Sequence, residues 1–253
     1  MPPLSVATYN TYREQNGRDP VLDTLLCEPL TLVCLQENST PRAWEINRSF
    51  KARSFITPMG LRYGLRFLAV VLPEGARFVE RRTVQLTSHW GLVPEAWCLR
   101  WSYQLYKSGS RRWRNALSPH AAQVSWVLWE GRVFRLVNAH LPWQIELRPR
   151  CLDKLRSLLV GEENVLLVGD LNATTENVFL ADLMKATELR SLGPTSDTLR
   201  RERVMIDHVL FSGGGFREVE YSLEESLSDH LLVCVALEEK KYEEYQPPYP
   251  TRA

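Results

Sequence analysis

Val165-Leu166-Leu167-Val168-Gly169-Asp170-Leu171-Asn172-Ala173-Thr174 carries a short run of Val and Leu into an acid, a spacer and an amide. Apolar residues throughout so short a run predict a strand buried on both faces, whose chain end delivers Asp170 and Asn172 to one edge of a sheet. Residues two apart on a strand share a side, so one group can take a proton while the other orients the reacting atoms. Taken alone, Gly-Asp-Leu-Asn reads more simply as a strand leaving through an Asx turn. Chemistry at this point needs agreement from other stretches.

Outward from this run, the same arrangement of a polar group on the exit of an apolar strand recurs. Residues 147–159 read as an amphipathic helix with Leu152, Leu155, Leu158 and Leu159 inward. Before it, residues 122–129 and 133–141 read as a hairpin about Glu130-Gly131, its second arm ending in Asn138-Ala139-His140-Leu141-Pro142. Residues 4–9 form a first strand ending at Asn10, and Asp19-Pro20 opens a short helix that Pro29 closes. Residues 31–35 are a second buried strand with Gln36-Glu37-Asn38 at its end, and residues 67–72 and 76–86 are two more. Downstream, Thr174 or Thr175 can cap a helix through Ala186. Residues 204–211 are a strand carrying Asp207-His208, and Gly213-Gly214-Gly215 turns it into a strand at 217–221. Ser228-Asp229-His230 then precedes a last apolar strand at 231–237. Residues 238–253 lack apolar periodicity and read as a disordered tail, which leaves 1–237 as one domain.

With 253 residues and 44% hydrophobic content the chain can bury a large core. A net charge of +1 gives no global case for a nucleic-acid or membrane partner, so only local clusters can argue for one. The five cysteines are odd in number and show no Cys-x-x-Cys spacing, and they read as reduced core residues. The first residues show neither a basic segment nor an apolar signal core, and no run reaches membrane-spanning length. A cytoplasmic protein with no membrane association and no obligate protein partner is expected.

One local asymmetry stands out. No acidic residue occurs between Glu95 and Glu130, while Arg100, Lys107, Arg111, Arg112 and Arg114 fall there among Trp97, Trp101, Tyr103, Tyr106 and Trp113. Basic side chains interleaved with aromatics suit a phosphate backbone and its bases, so Arg111, Arg112 and Arg114 are candidate substrate-binding residues. A hydrophobic strand pair with a solvated, Arg-rich turn fits the same residues.

Asn10, Glu37, His140, Asp170, Asn172, Asp207, Asp229 and His230 all lie at or beside predicted strand ends. Such spread over the chain is what a convergent site on a rigid sheet edge requires. His89, His120 and His208 read instead as satisfied core histidines.

From Val6-Ala7-Thr8-Tyr9-Asn10 through Cys34-Leu35-Gln36-Glu37, Asn138-Ala139-His140-Leu141, Gly169-Asp170-Leu171-Asn172-Ala173 and Ile206-Asp207-His208 to Ser228-Asp229-His230-Leu231, the chain resembles the endonuclease/exonuclease/phosphatase superfamily. This resemblance implies the deoxyribonuclease I-like fold, a four-layer α/β/β/α sandwich of two mostly antiparallel sheets packed face to face with helices outside. It also implies a metal-dependent phosphoesterase. Glu37 would hold Mg2+ (or Mn2+), with Asn10 beside it and Asp229 completing the metal environment. Asp170 would deprotonate the attacking water with Asn172 fixing its geometry, His230 held by Asp207 would donate to a phosphate oxygen, and His140 would stand on the leaving-group side.

The chain departs from particular branches of that superfamily. Tyr12 stands where the abasic-site repair branch has an acidic or amide residue, and Val204-Met205-Ile206-Asp207-His208 stands where the inositol polyphosphate phosphatases have Trp-Cys-Asp-Arg. The expectation is a divalent-metal-dependent phosphodiester hydrolase acting on nucleic acid, DNA or RNA. A phosphomonoesterase, a lipid or small-molecule phosphodiesterase, and a non-catalytic binding module are the alternatives.

Overall fold

The computed structural model describes residues 3–12, 18–59, 66–87, 120–193, 197–200, 202–213 and 216–239. Its strands in chain order are β1 (Leu4–Asn10), β2 (Thr31–Asn38), β3 (Ser54–Met59), β4 (Arg66–Val71), β5 (Arg77–Gln85) and β6 (Ala121–Trp129). They continue with β7 (Arg132–His140), β8 (Val165–Asp170), β9 (Arg190–Leu192), β10 (Asp207–Phe211), β11 (Phe216–Glu224) and β12 (Leu232–Glu239). The helices are α1 (Pro20–Cys27), α2 (Thr40–Phe50), α3 (Arg148–Leu159) and α4 (Val178–Thr187).

These strands make two six-stranded sheets, ordered β11-β12-β1-β2-β4-β3 and β5-β6-β7-β8-β10-β9. Alternation along each strand sends one set of side chains between the sheets, among them Val6, Leu32, Val70, Val127, Leu136, Val168, Phe211 and Val235, all buried. The opposite faces are covered by helices. Leu22, Leu25 and Ile46 of α1 and α2 pack on Ala7, Val33 and Ala69 of the first sheet. Leu152, Leu155, Leu180 and Leu183 of α3 and α4 pack on Val137, Leu167 and Leu210 of the second. The expected α/β/β/α sandwich is the architecture observed.

Only β1 with β2 and β7 with β8 pair in parallel, each pair linked through a helix; the other pairings among the described residues are antiparallel. Parallel neighbours end at the same edge, so Asn10 comes beside Gln36 and His140 beside Asp170. Antiparallel β10 begins where β8 ends, with Asp207 opposite Asp170. One end of the sandwich thereby collects the polar strand ends.

Several elements differ from the sequence expectation. Helix α2 and strand β3 were not foreseen, although Ser39 caps α2 by accepting from Arg42 N, and a Pro sits in its first turn. Helix α4 is capped by Asn177 rather than Thr174 or Thr175, since Asn177 N donates to Thr174 O in a turn that precedes it. Strand β10 starts at Asp207, and β12 runs through Glu239, two residues into the stretch expected to be a tail, because Glu238 and Glu239 pair with Arg217 and Phe216. Cys34 and Cys151 are free and buried, whereas Cys27 is exposed at the end of α1, contrary to its expected core place. Residues 240–253 and the stretch 88–119, with Arg111, Arg112 and Arg114, lie outside the described residues. Among the described residues no helix is long and apolar enough to cross a membrane.

A buried polar network joins the two sheets near the site. Gln36 Nε2 donates to Asn138 Oδ1 at 2.9 Å and to Thr8 Oγ1 at 3.1 Å. Asn138 Nδ2 in turn donates to Gln123 Oε1 at 2.9 Å and Ala69 O at 3.1 Å, and Gln123 Nε2 reaches Phe55 O at 2.6 Å. Amides this deeply buried are tolerated only when their partners are present. Replacing Asn138 by Leu strands the side chains of Gln36 and Gln123, and urea unfolding should report a loss of about 1–3 kcal/mol or more. Unchanged stability in Asn138→Leu would mean the network contributes nothing.

Candidate active site

Asn10, Glu37, His140, Asp170, Asn172, Asp229 and His230 line one cavity of about 180 Å3 at the end of the sandwich. Asp207 stands behind it. Of the expected catalytic and metal residues, then, seven share the cavity wall and Asp207 touches it through His230.

Local backbone devices aim these groups. Glu37 has φ 55°, and the register of β2 against β4 shifts between Leu35 and Asn38. The resulting bulge sends Gln36 to the intersheet network and Asn38 to Phe67 O at 3.2 Å, while Glu37 faces the cavity. Gly169 has φ +134°, and a Cβ there would lie 2.0 Å from Ala139 O. Only glycine lets β8 run so close to β7, which keeps Asp170 beside His140. On the far side, Ser228 Oγ donates to Asn10 O at 2.7 Å and accepts from His230 N at 3.2 Å, so the residues before β12 are tied to the end of β1.

Asp170 is held through both oxygens. Oδ2 accepts from Asn10 Nδ2 and Oδ1 from Asn172 N, each at 2.9 Å. Burial first, and then the Asp207 charge, raise its carboxyl to about 7 against the opposing effects of His230, Asn10 and Asn172. The Asn172 side chain turns away and donates to Leu141 O at 2.9 Å. Asn172 therefore positions Asp170 through its main chain.

His230 and Asp207 form a pair, with Nδ1–H donating to Asp207 Oδ2 at 2.9 Å. Burial would lower the imidazole, but the Asp207 carboxylate overrides it and raises His230 to about 10, so the ring is cationic at neutral pH. Its remaining donor, Nε2, lies 4.0 Å from Asp170 Oδ2 and 4.0 Å from Asp229 Oδ1. His140 behaves oppositely. Burial, with His120 and His230 nearby, holds it well below the ordinary imidazole range, and Nε2 sits 3.4 Å from Asp170 Oδ2 and 3.7 Å from Glu37 Oε1. The site thus contains one cationic and one neutral imidazole, either side of a carboxyl poised near neutrality.

Two groupings could hold a cation. Ligand atoms of Asp170, Asp207 and His230 lie within 4.8 Å of one another, the last two already joined through His230 Nδ1 and Asp207 Oδ2. The carboxylates of Glu37 and Asp229 and the Asn10 amide are oxygen donors rimming the open cavity. Few carboxylates with room for water and a phosphate oxygen is the donor set a hard dication such as Mg2+ favours, so these residues fit one.

Sequence reasoning missed other cavity residues. Arg66 pairs with Glu37, and Tyr12, Trp143 and Gln144 stand at the wall. Their only sequence signal was position, immediately beyond Asn10 and His140 or at the start of a strand. His120, expected in the core, also lines the cavity, its ring edge-on to His140 at 5.6 Å, while His208 is the expected core residue, with Nε2–H donating to Ala173 O at 2.7 Å. His89 lies outside the described residues.

Residues 7–230 match the family model described as Endonuclease/Exonuclease/phosphatase family. No curated protein matches the sequence. Among solved structures, the human Nocturnin catalytic domain with bound sulfate superposes with a TM-score of 0.67 at 15% identity, over 94% of this chain and 94% of that one. D. rerio TDP2 complexed with single strand DNA product gives 0.66 at 12% identity, over 93% and 99%. The mannosyl-6-phosphatase of Bacteroides thetaiotaomicron VPI-5482 gives 0.62 at 16% identity, over 92% and 99%. Identities this low speak for a shared fold alone.

Burial keeps the His208 imidazole below its ordinary range, and Nδ1 has no partner for a second proton. Below about pH 6.5 the unfolded chain takes up a proton that folded His208 refuses, so the stability it contributes is lost as pH falls. Urea unfolding at pH 7.5 and 5.5 should show a smaller acid loss in His208→Gln than in the wild type. The difference can reach about 1.4 kcal/mol per pH unit, and equal losses would remove His208 as the cause.

Proposed function

This chain belongs to the Endonuclease/Exonuclease/phosphatase family, and on that premise we propose that it is a divalent-metal-dependent phosphodiester hydrolase acting on DNA or RNA. The observation that carries the reading is Asp170, fixed by Asn10 and Asn172, facing the cationic His230 across one cavity. A carboxyl near neutrality can accept a proton from water, and a nearby imidazolium can answer negative charge as it builds.

Glu37, Asn10 and Asp229 would hold Mg2+ or Mn2+, which when bound supplies positive charge to a non-bridging phosphate oxygen. Asp170 orients the attacking water through the oxygens that Asn10 and Asn172 fix, and takes its proton. Nε2–H of His230, its ring held by Asp207, donates to a phosphate oxygen. Neutral His140 stands on the leaving-group side, beside Asp170 and Glu37. None of these groups serves as a covalent nucleophile, so the attack is in line by water.

Two observations favour nucleic acid. The sequence from Trp97 to Arg114 is basic, aromatic and free of acids, and one structural neighbour was solved with a single-strand DNA product. A phosphomonoesterase is the second reading, favoured by the likeness to a mannosyl-6-phosphatase.

Purified protein with Mg2+ or Mn2+ should cleave DNA or RNA and bis-para-nitrophenyl phosphate, and EDTA should abolish this. Asp170→Asn should lower turnover by about 10²–10⁴-fold without unfolding, and Glu37→Gln should demand much more metal. Activity confined to para-nitrophenyl phosphate would establish the monoesterase instead, and none on any substrate would overturn both. Neutralising Arg111, Arg112 and Arg114 together should flatten the salt dependence of oligonucleotide binding, by about 0.7–0.9 in log–log slope per lost phosphate contact. An unchanged slope would take them out of the interface.

A further inference from the structure

Arg66 opens β4 and pairs through Nη1 with Glu37 Oε2, the two side chains being 14% and 10% exposed. Both line the catalytic cavity with Asp170 and His230. The bulge in β2 sets Gln36 and Glu37 together against Leu68 before Asn38 pairs with Phe67, and it turns the Glu37 side chain into the cavity, where Arg66 reaches it from the start of β4. Glu37 Oε1 points elsewhere, 3.7 Å from His140 Nε2.

We propose that Arg66 is a further functional residue of this site, a guanidinium that competes with the divalent cation for the Glu37 carboxylate and contacts a substrate phosphate oxygen once the cation is bound. The inference rests on the reading of Glu37 as the cation's ligand. A purely stabilising pair is a poor explanation for these residues, because a buried ion pair gains little over packed apolar side chains of the same volume. At the wall of a phosphoester cavity the pair has two consequences. Without a dication, Arg66 sets its positive charge against the buried Glu37 carboxylate. With one, Arg66 and the dication share Glu37, and each lowers the other's affinity for it. The freed donors of the planar guanidinium suit the paired oxygens of a phosphate, which lysine cannot match. Substrate phosphate thus draws Arg66 off Glu37 and strengthens cation binding, coupling the two ligands by ordinary linkage.

Direct Mn2+ titration calorimetry on the metal-free protein tests this without turnover. Arg66→Gln keeps a hydrogen-bonding partner for Glu37 but removes the charge, and it should bind Mn2+ about tenfold or more tightly than the wild type, the scale on which a neighbouring cation shifts a carboxylate's affinity. The Mn2+-loaded variant should bind inorganic phosphate more weakly. Glu37→Gln should bind Mn2+ poorly, and the Glu37→Gln/Arg66→Gln double variant no better. If Arg66→Gln does not purify folded, Arg66→Met melted with and without Mn2+ replaces it, and its gain in Tm should exceed that of the wild type. Unchanged or weaker Mn2+ binding in Arg66→Gln, or an equal Tm gain in Arg66→Met, would overturn the role of Arg66 while Glu37 stands. Undiminished Mn2+ binding in Glu37→Gln would instead remove Glu37 as ligand, and this inference with it.

Discussion

The hydrogen bond from Gln36 to Asn138 is the contact on which the geometry of the site depends. Most of the interface between the sheets is apolar, and apolar packing resists separation more than it resists sliding. A buried amide pair differs because a shift of one residue would leave donors and acceptors unmatched in a dry interior. Gln36 directly precedes Glu37, and Asn138 lies two residues before His140 on the same strand. Fixing that one pair therefore fixes the carboxylate contributed by one sheet against the imidazole contributed by the other.

Topology then sets which residues can meet. Parallel β1 and β2 deliver chain ends from the first sheet, parallel β7 and β8 from the second, and antiparallel β10 supplies its first residue to the same edge. Charge is managed in pairs at this edge. Asp207 holds His230 cationic, Arg66 accompanies Glu37, and Asp170, denied so close a cation, retains its proton up to about neutrality. The same burial that makes each isolated charge costly divides the groups into donors and acceptors of protons.

Much of this was legible in the chain because strand exits are marked in sequence by a change from apolar to polar residues. Asn10, Glu37, His140, Asp170 and Asp207 each follow or open such a run, and the cavity gathers them around His230. Asn138 shares that signal yet serves the sheet interface, since alternation along β7 shows which residues share a side and not what faces them. Arg66 was invisible for the opposite reason. It opens its strand as an ordinary polar residue, and only the positive φ at Glu37, a tertiary feature, brings the two together. Helix α2 carried its own start signal in Ser39 and Pro41, whereas the Asn177 cap of α4 was masked by the earlier threonines, equally good caps by type.

Strand β1 lies between β2 and β12 in the first sheet, so Asn10 at the end of β1 and His230, two residues before β12, reach the same edge from opposite ends of the folded chain. Ser228 completes the connection by holding the main chain at both residues. During synthesis the second sheet can form from residues 77–211 while β1 still lacks one flank. The imidazolium joins the carboxylates only after β12 has emerged from the ribosome and docked. A growing chain therefore carries the carboxylates of this edge without their imidazolium until the last strand closes the sheet.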